Sequence, residues 1–104
     1  MIVVLVTVLY PNQEGSRFDH GYYMERHAAL VRQRWEPIGL KDARFLRGIG
    51  TPDGRPAPYQ VIALLNFSTA DALQQAVAAH GAEIFSDIPR FTDVQPIVQV
   101  NEAL

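Results

Sequence analysis

Few side chains in this sequence can exchange a proton near neutral pH: three histidines, His20, His27 and His80, and no cysteine. Imidazole is the side chain whose unperturbed pKa, about 6.5, falls in that range. Histidine placement therefore decides where proton chemistry can sit. His27 lies in a stretch whose apolar residues recur at helical spacing. Projected at about 100° per residue, Tyr23, Met24, His27, Leu30, Val31 and Trp35 share one side, and Glu25, Arg26, Arg32, Gln33 and Glu36 the other. Tyr23 stands one turn before His27 and Trp35 two turns after it, which predicts an aromatic pocket wall carrying one titratable group. His80 shares a second helical stripe with Thr69, Leu73, Ala76 and Val77 and is also predicted to face the interior; the plainer reading there is a core histidine held neutral by a hydrogen bond. Asp87, between Ile84-Phe85 and Ile88-Pro89, is a carboxyl in an apolar segment. So placed, it can donate or accept a proton, or simply bind backbone N–H groups or Arg90. Tyr10 and Phe91, core residues by type, complete the candidate ligand contacts with Tyr23, Trp35 and His80.

The elements that position these groups follow from pattern. Ile2 to Tyr10 is β-branched with apolar side chains on both faces, as in a central strand, and Pro11-Asn12 stops it. Asp19 is placed to cap a helix running to about Glu36, with Phe18 packing on Tyr23 as a staple. After Pro37 and Gly39, Leu40 to Ile49 reads as a more polar edge strand. The turn formers between Gly50 and Pro58 separate it from a second apolar strand, Tyr59 to Phe67. Ser68-Thr69-Ala70-Asp71 resembles a capping box, opening a helix from about Thr69 to His80 that Gly81 closes. An irregular apolar segment, Ala82 to Thr92, leads to a last strand, Val94 to Val100.

This order, strand, helix, strand, strand, helix, strand, predicts one α+β domain over residues 1–104. It is the ferredoxin-like βαββαβ arrangement, a four-stranded antiparallel sheet with both helices on one face. The two most apolar runs then fall at the two central positions. Val3, Leu5, Ile62 and Leu64 alternate with Val4, Val6, Val61, Ala63 and Leu65, which leaves no polar face for the side the helices do not cover. A chain this size buries only about 60–70% of its unfolded surface. Both features predict a homodimer formed by sheet-to-sheet packing.

Composition removes several function classes. The nine cations are dispersed among eleven acids, so no basic patch for nucleic acid is expected. The opening apolar run is too short to span a bilayer and lacks a charged leader, so no membrane partner is expected. The lack of cysteine predicts a cytoplasmic chain that does not depend on disulfides. There is no Gly-x-Ser-x-Gly elbow and no phosphate-cradling loop, and the glycines at 48, 50 and 54 have hairpin spacing. No metal site and no organic cofactor are expected.

Four spaced motifs, Val6-Thr7-Val8-Leu9-Tyr10-Pro11-Asn12, Tyr22-Tyr23-x-x-x-His27-Ala28-Ala29-Leu30-Val31, His80-Gly81-Ala82-Glu83 and Asp87-Ile88-Pro89-x-Phe91-Thr92-Asp93, resemble the EthD family over nearly the whole chain. The resemblance implies the dimeric α+β barrel superfamily, with a pocket between sheet and helices in each subunit. It marks Tyr23, His27, His80 and Asp87 as positions of interest. The family often has proline two residues after the helix histidine; Ala29 stands there, which implies a straighter helix. The name EthD comes from a gene cluster for degrading a xenobiotic ether, in which a cytochrome P450 system performs the oxidation. The wider superfamily holds cofactor-independent monooxygenases, lactone isomerases and haem-handling enzymes. Two readings follow for this chain. In one, it acts on a small apolar metabolite, aromatic or lactone-like, by cofactor-independent proton transfer through His27 and Asp87. In the other, it is a non-catalytic dimer that binds a hydrophobic ligand or serves an oxidative pathway as an accessory protein. Haem binding through one histidine is a third, weaker reading.

Overall fold

The structure, a computed structural model, describes residues 4–104; Ile2 and Val3, assigned above to the first strand, lie outside the described residues. Strands β1 (Val4–Pro11), β2 (Leu40–Arg47), β3 (Tyr59–Phe67) and β4 (Ile97–Glu102) form one sheet in the order β2-β3-β1-β4. All three pairings are antiparallel. The two apolar runs, β1 and β3, are the central pair, and the ferredoxin-like βαββαβ arrangement read from the sequence is the one found.

Side chains in a strand alternate between faces, and burial follows that alternation. Val4, Val6, Val8 and Tyr10 of β1 and Val61, Ala63, Leu65 and Phe67 of β3 are buried, and they join Val31 and Trp35 of the first helix and Ala76 and Ile84 of the second in one core. The intervening Leu5, Leu9, Ile62 and Leu64 stay half-buried on the opposite face.

The first helix is built of four consecutive pieces: an α turn at His20–Tyr22, a π turn at Tyr23–His27, an α-helix at Ala28–Trp35 and a 3-10 turn at Glu36–Ile38. Asp19 caps it as expected, its side chain accepting from the Tyr22 N–H at 3.0 Å, and Phe18 packs edge-on against Tyr23. The π turn corrects the helical projection. Met24, placed inward at a period of 3.6, is 49% exposed, whereas Ala28 is fully buried.

The second helix also departs from expectation. It runs from Ala70 to Ser86, straight through Gly81, which is buried inside it. Ile84 supplies another buried turn beyond that glycine, so packing overrides the local stop signal. The cap is Thr69, whose side chain accepts from the Ala72 N–H at 3.0 Å, rather than a box opened by Ser68. The last strand begins at Ile97 instead of Val94, although Val94 is buried.

Gly39 ends the first helix at φ 105°, where an added Cβ would come within 2.7 Å of the Ala72 Cβ and 2.9 Å of the Ser68 hydroxyl. Gly54, in the hairpin at φ 86°, would meet nothing within 4 Å. Both Gly→Ala changes carry the left-handed penalty of about 1–2 kcal/mol. Gly39→Ala should therefore lower the urea unfolding free energy by clearly more than Gly54→Ala does, since it adds a clash where the second helix starts.

Candidate functional site

The π turn arranges the chemistry of the first helix. Its wide turn is closed by the Ala28 N–H donating to the Tyr23 carbonyl, five residues back. In a regular α-helix two residues five apart project about 140° from one another. Here Tyr22 and His27, five apart, reach the same carboxyl group. The Tyr22 hydroxyl donates to Asp87 Oδ1 at 2.7 Å, and His27 Nδ1 lies 2.9 Å from Asp87 Oδ2. A carboxylate that accepts on both oxygens places the shared imidazole hydrogen on Nδ1, which leaves Nε2 with its lone pair. π turns inside helices are frequent at functional sites.

Asp87 is fixed just as firmly. It is the C-cap of the second helix, its N–H donating to Ile84 and Phe85 carbonyls, and Pro89 follows in the short turn Ile88–Arg90. That turn is strapped to the chain entering the first helix. The Asp19 N–H donates to the Phe91 carbonyl at 2.7 Å, the Thr92 hydroxyl to the Arg17 carbonyl at 2.7 Å, and the Arg17 N–H to Asp93 Oδ1 at 2.9 Å. The imidazole is 4% exposed, stacks on Tyr23 with ring centroids 5.6 Å apart, and meets Phe91 at 4.7 Å. Burial holds the His27 pKa below the ordinary histidine value, against the opposing pull of Asp87. His27 is thus a neutral imidazole at pH 7.

Between sheet and helices lies a cavity of about 110 Å³ whose wall includes Tyr10, Tyr23, His27, Trp35, Phe45 and Ala63. The buried row of β3 contributes its smallest side chain, Ala63, paired with Val8 and Phe45, to the wall. Trp35 is pinned in the wall by its indole N–H, which donates to the Ala76 carbonyl at 2.8 Å. Val77, Phe85, Val98 and Val100 also line the cavity while being 42%, 41%, 44% and 60% exposed, so they mark a mouth between the second helix and β4. Among the described residues no Asp, Glu, Lys or Arg side chain lines it. Among the described residues no three His, Asp or Glu gather closely enough to hold a metal ion, and no helix is long and apolar enough to cross a membrane.

No protein-family model matches the chain, and no curated protein sequence does. Solved structures do. An EthD-like protein from Ralstonia eutropha JMP134 is 32% identical, with a TM-score of 0.90 over 98% of this chain and 92% of that one. The chain belongs to the EthD family. An ethyl tert-butyl ether D (EthD) family protein from Bacillus halodurans C-125 is 25% identical with a TM-score of 0.76, each chain covered in full. SnoaB from Streptomyces nogalater, a cofactor-independent oxygenase, is 14% identical with a TM-score of 0.63, a likeness of fold alone.

Of the positions that the EthD resemblance marks, the structure brings three together: Tyr23 and His27 stack in the cavity wall, and Asp87, outside the wall, holds His27 Nδ1. His80 stands apart: its side chain is 34% exposed, 3.9 Å from Glu83, and does not line the cavity. With the second helix running on to Ser86, burial falls on Ala76, Gly81 and Ile84 and leaves His80 at the rim. Tyr10 and Trp35 line the cavity as expected, whereas Phe91 is fully buried behind the His27 ring rather than in the wall. Helical spacing does not point to Tyr22, because only the π turn aims it at Asp87.

The lowered His27 pKa sets a pH dependence. The unfolded chain takes up this proton near pH 6.5, at higher pH than the folded chain does, so the stability present above about pH 6.5 is lost as pH falls toward and through the folded pKa. Urea midpoints measured against pH should be flat above about pH 7 and decline below about pH 6. His27→Gln should flatten that decline, leaving the part due to His20, which burial also lowers.

Proposed function

We propose that this EthD family member is a homodimeric small-molecule protein in which His27 takes a proton from a neutral apolar ligand, aromatic or lactone-like, held in the cavity between sheet and helices. The observation that carries the reading is a buried imidazole whose Nδ1 is engaged by Asp87 and whose ring forms part of an otherwise uncharged wall. That is the arrangement of an oriented general base. On transfer, an O–H or C–H bond of the ligand breaks, an N–H bond forms at Nε2, and the electron pair stays on the ligand. Asp87, 2.9 Å from Nδ1, then stabilises the imidazolium, while Tyr22 holds the carboxylate in place. Proton abstraction is the step shared by isomerisation and cofactor-free oxygenation, and the likeness to SnoaB is compatible with either. At about 110 Å³ the cavity falls well short of the about 300 Å³ of pockets that take drug-sized ligands. That size suits a single ring better than a haem macrocycle.

A suitable probe is phenylacetone, an enolisable ketone with one ring, followed by deuterium exchange of its α-hydrogens in D₂O. The protein should accelerate exchange, and His27→Gln should slow it by about 10²–10⁴-fold with binding nearly unchanged. Bound phenylacetone without exchange, in a folded protein, supports the non-catalytic binder instead.

The homodimer is supported by the uncovered sheet face. Leu46 and Ile97 are 45% and 50% exposed there, beside half-buried Leu5, Leu9, Ile62 and Leu64. Facing sheets of two copies would cover this apolar strip. Sedimentation equilibrium should give twice the 11.6 kDa chain mass, and Leu64→Lys should give the single chain mass. A parent protein that sediments as one chain sinks the proposal.

A further inference from the structure

Two polar groups in the cavity are not used by the proton transfer just described. Tyr10, from β1, and Tyr23, from the π turn, both line the cavity, are 1% and 2% exposed, and meet edge-on with ring centroids 5.8 Å apart. Burial raises both hydroxyl pKa values, for Tyr23 with the nearby Tyr10 hydroxyl adding to it, and no hydrogen bond contributes to either shift. Yet among the described residues no fully buried side-chain oxygen or nitrogen lacks a partner. Both residues line the cavity, so the cavity is where a ligand can meet their hydroxyls. The contrast with the neighbouring groups is sharp: the Trp35 N–H is spent on the Ala76 carbonyl and the Tyr22 hydroxyl on Asp87.

Buried hydroxyls left without partners are costly. A hydrocarbon ligand would leave both unpaired. A carboxylate would arrive charged at a wall with no cation. At neutral pH both phenols stay protonated, so both can donate. Resting on the reading of His27 as a base, we propose that Tyr10 and Tyr23 are a pair of donors to one ligand oxygen that gains negative charge as His27 removes the proton, which makes the substrate class small enolisable carbonyl compounds and phenols. When a C–H or O–H bond breaks toward Nε2, the electron pair settles on that oxygen, and fixed donors in a water-poor site stabilise it without reorganisation. Cavity size sets the scale: about 110 Å³ is somewhat below the about 150 Å³ of an engineered cavity that takes benzene, so the ligand is about one ring in size, its reacting group toward His27 and any further substituent toward the mouth at Val77 and Val100.

The test uses 4-nitrophenol, whose ionisation is visible by its phenolate absorbance, and nitrobenzene, its analogue without a hydroxyl. Each is titrated into the parent protein and into Tyr10→Phe, Tyr23→Phe and His27→Gln, all checked for folding by urea unfolding. The parent is expected to bind 4-nitrophenol as phenolate at a pH where the free phenol is mostly neutral. Each Tyr→Phe change should weaken phenolate binding about tenfold while nitrobenzene binding moves by less than about twofold, and His27→Gln should bind the neutral phenol only. Tyrosine variants that ionise the probe as the parent does, alongside a His27→Gln that does not, overturn the donor pair and leave the base standing. Tyrosine variants that lose phenolate binding while His27→Gln keeps it overturn the base and support the donors. A parent that takes up only neutral phenol, or no probe at all, overturns the inference.

Discussion

The contact between His27 and Asp87 joins residues sixty positions apart in the chain, and both sides of it depend on backbone features that have no purpose in a plain helix. On the histidine side a π turn swings Tyr22 and His27 to one carboxyl group. On the aspartate side the second helix ends on Asp87 itself, and the following turn is tied back to residues 17–19 by backbone and side-chain hydrogen bonds. Moving either element by one residue would break the pair and strand a carboxylate with 13% side-chain exposure beside a buried ring. A buried polar pair of this kind fixes geometry more than it adds stability.

The second constraint is that the helices cover one sheet face only. Their side of the sheet holds the core, and within it the row Val61, Ala63, Leu65 contributes its smallest side chain, Ala63, to the cavity wall. The same alternation that buries this row leaves Leu5, Leu9, Ile62 and Leu64 looking the other way. Pocket and open face are thus two results of one sheet register, and a slip of one residue would exchange them.

Much of this was legible in the residues. Strand β3 runs from Tyr59 to Phe67 as the pattern predicts, because an apolar run lies there between a Pro-rich turn and a capping threonine. The cap at Asp19 and the staple of Phe18 on Tyr23 were legible for the same local reason. His27 and Asp87 were singled out as polar groups in apolar company, and they touch. Where tertiary packing outweighs local preference, the pattern misleads: Gly81 looks like a helix end until Ile84 is seen to need burial, and the stripe through Leu73, Ala76 and Val77 turns His80 inward although its side chain is 34% exposed. The π turn left no mark in a projection that assumes 3.6 residues per turn, so Met24 was turned inward and Tyr22 was passed over.

Trp35 is the single tryptophan of the chain, and its place has a practical meaning. Its indole is 4% exposed, tied at its nitrogen to the Ala76 carbonyl, and it forms part of the cavity wall. All tryptophan emission from this protein therefore originates beside the pocket, from a ring whose orientation is set by the junction of the two helices. The fluorescence of the unlabelled protein is a built-in gauge of what enters the cavity and of whether the helices stay together as it does.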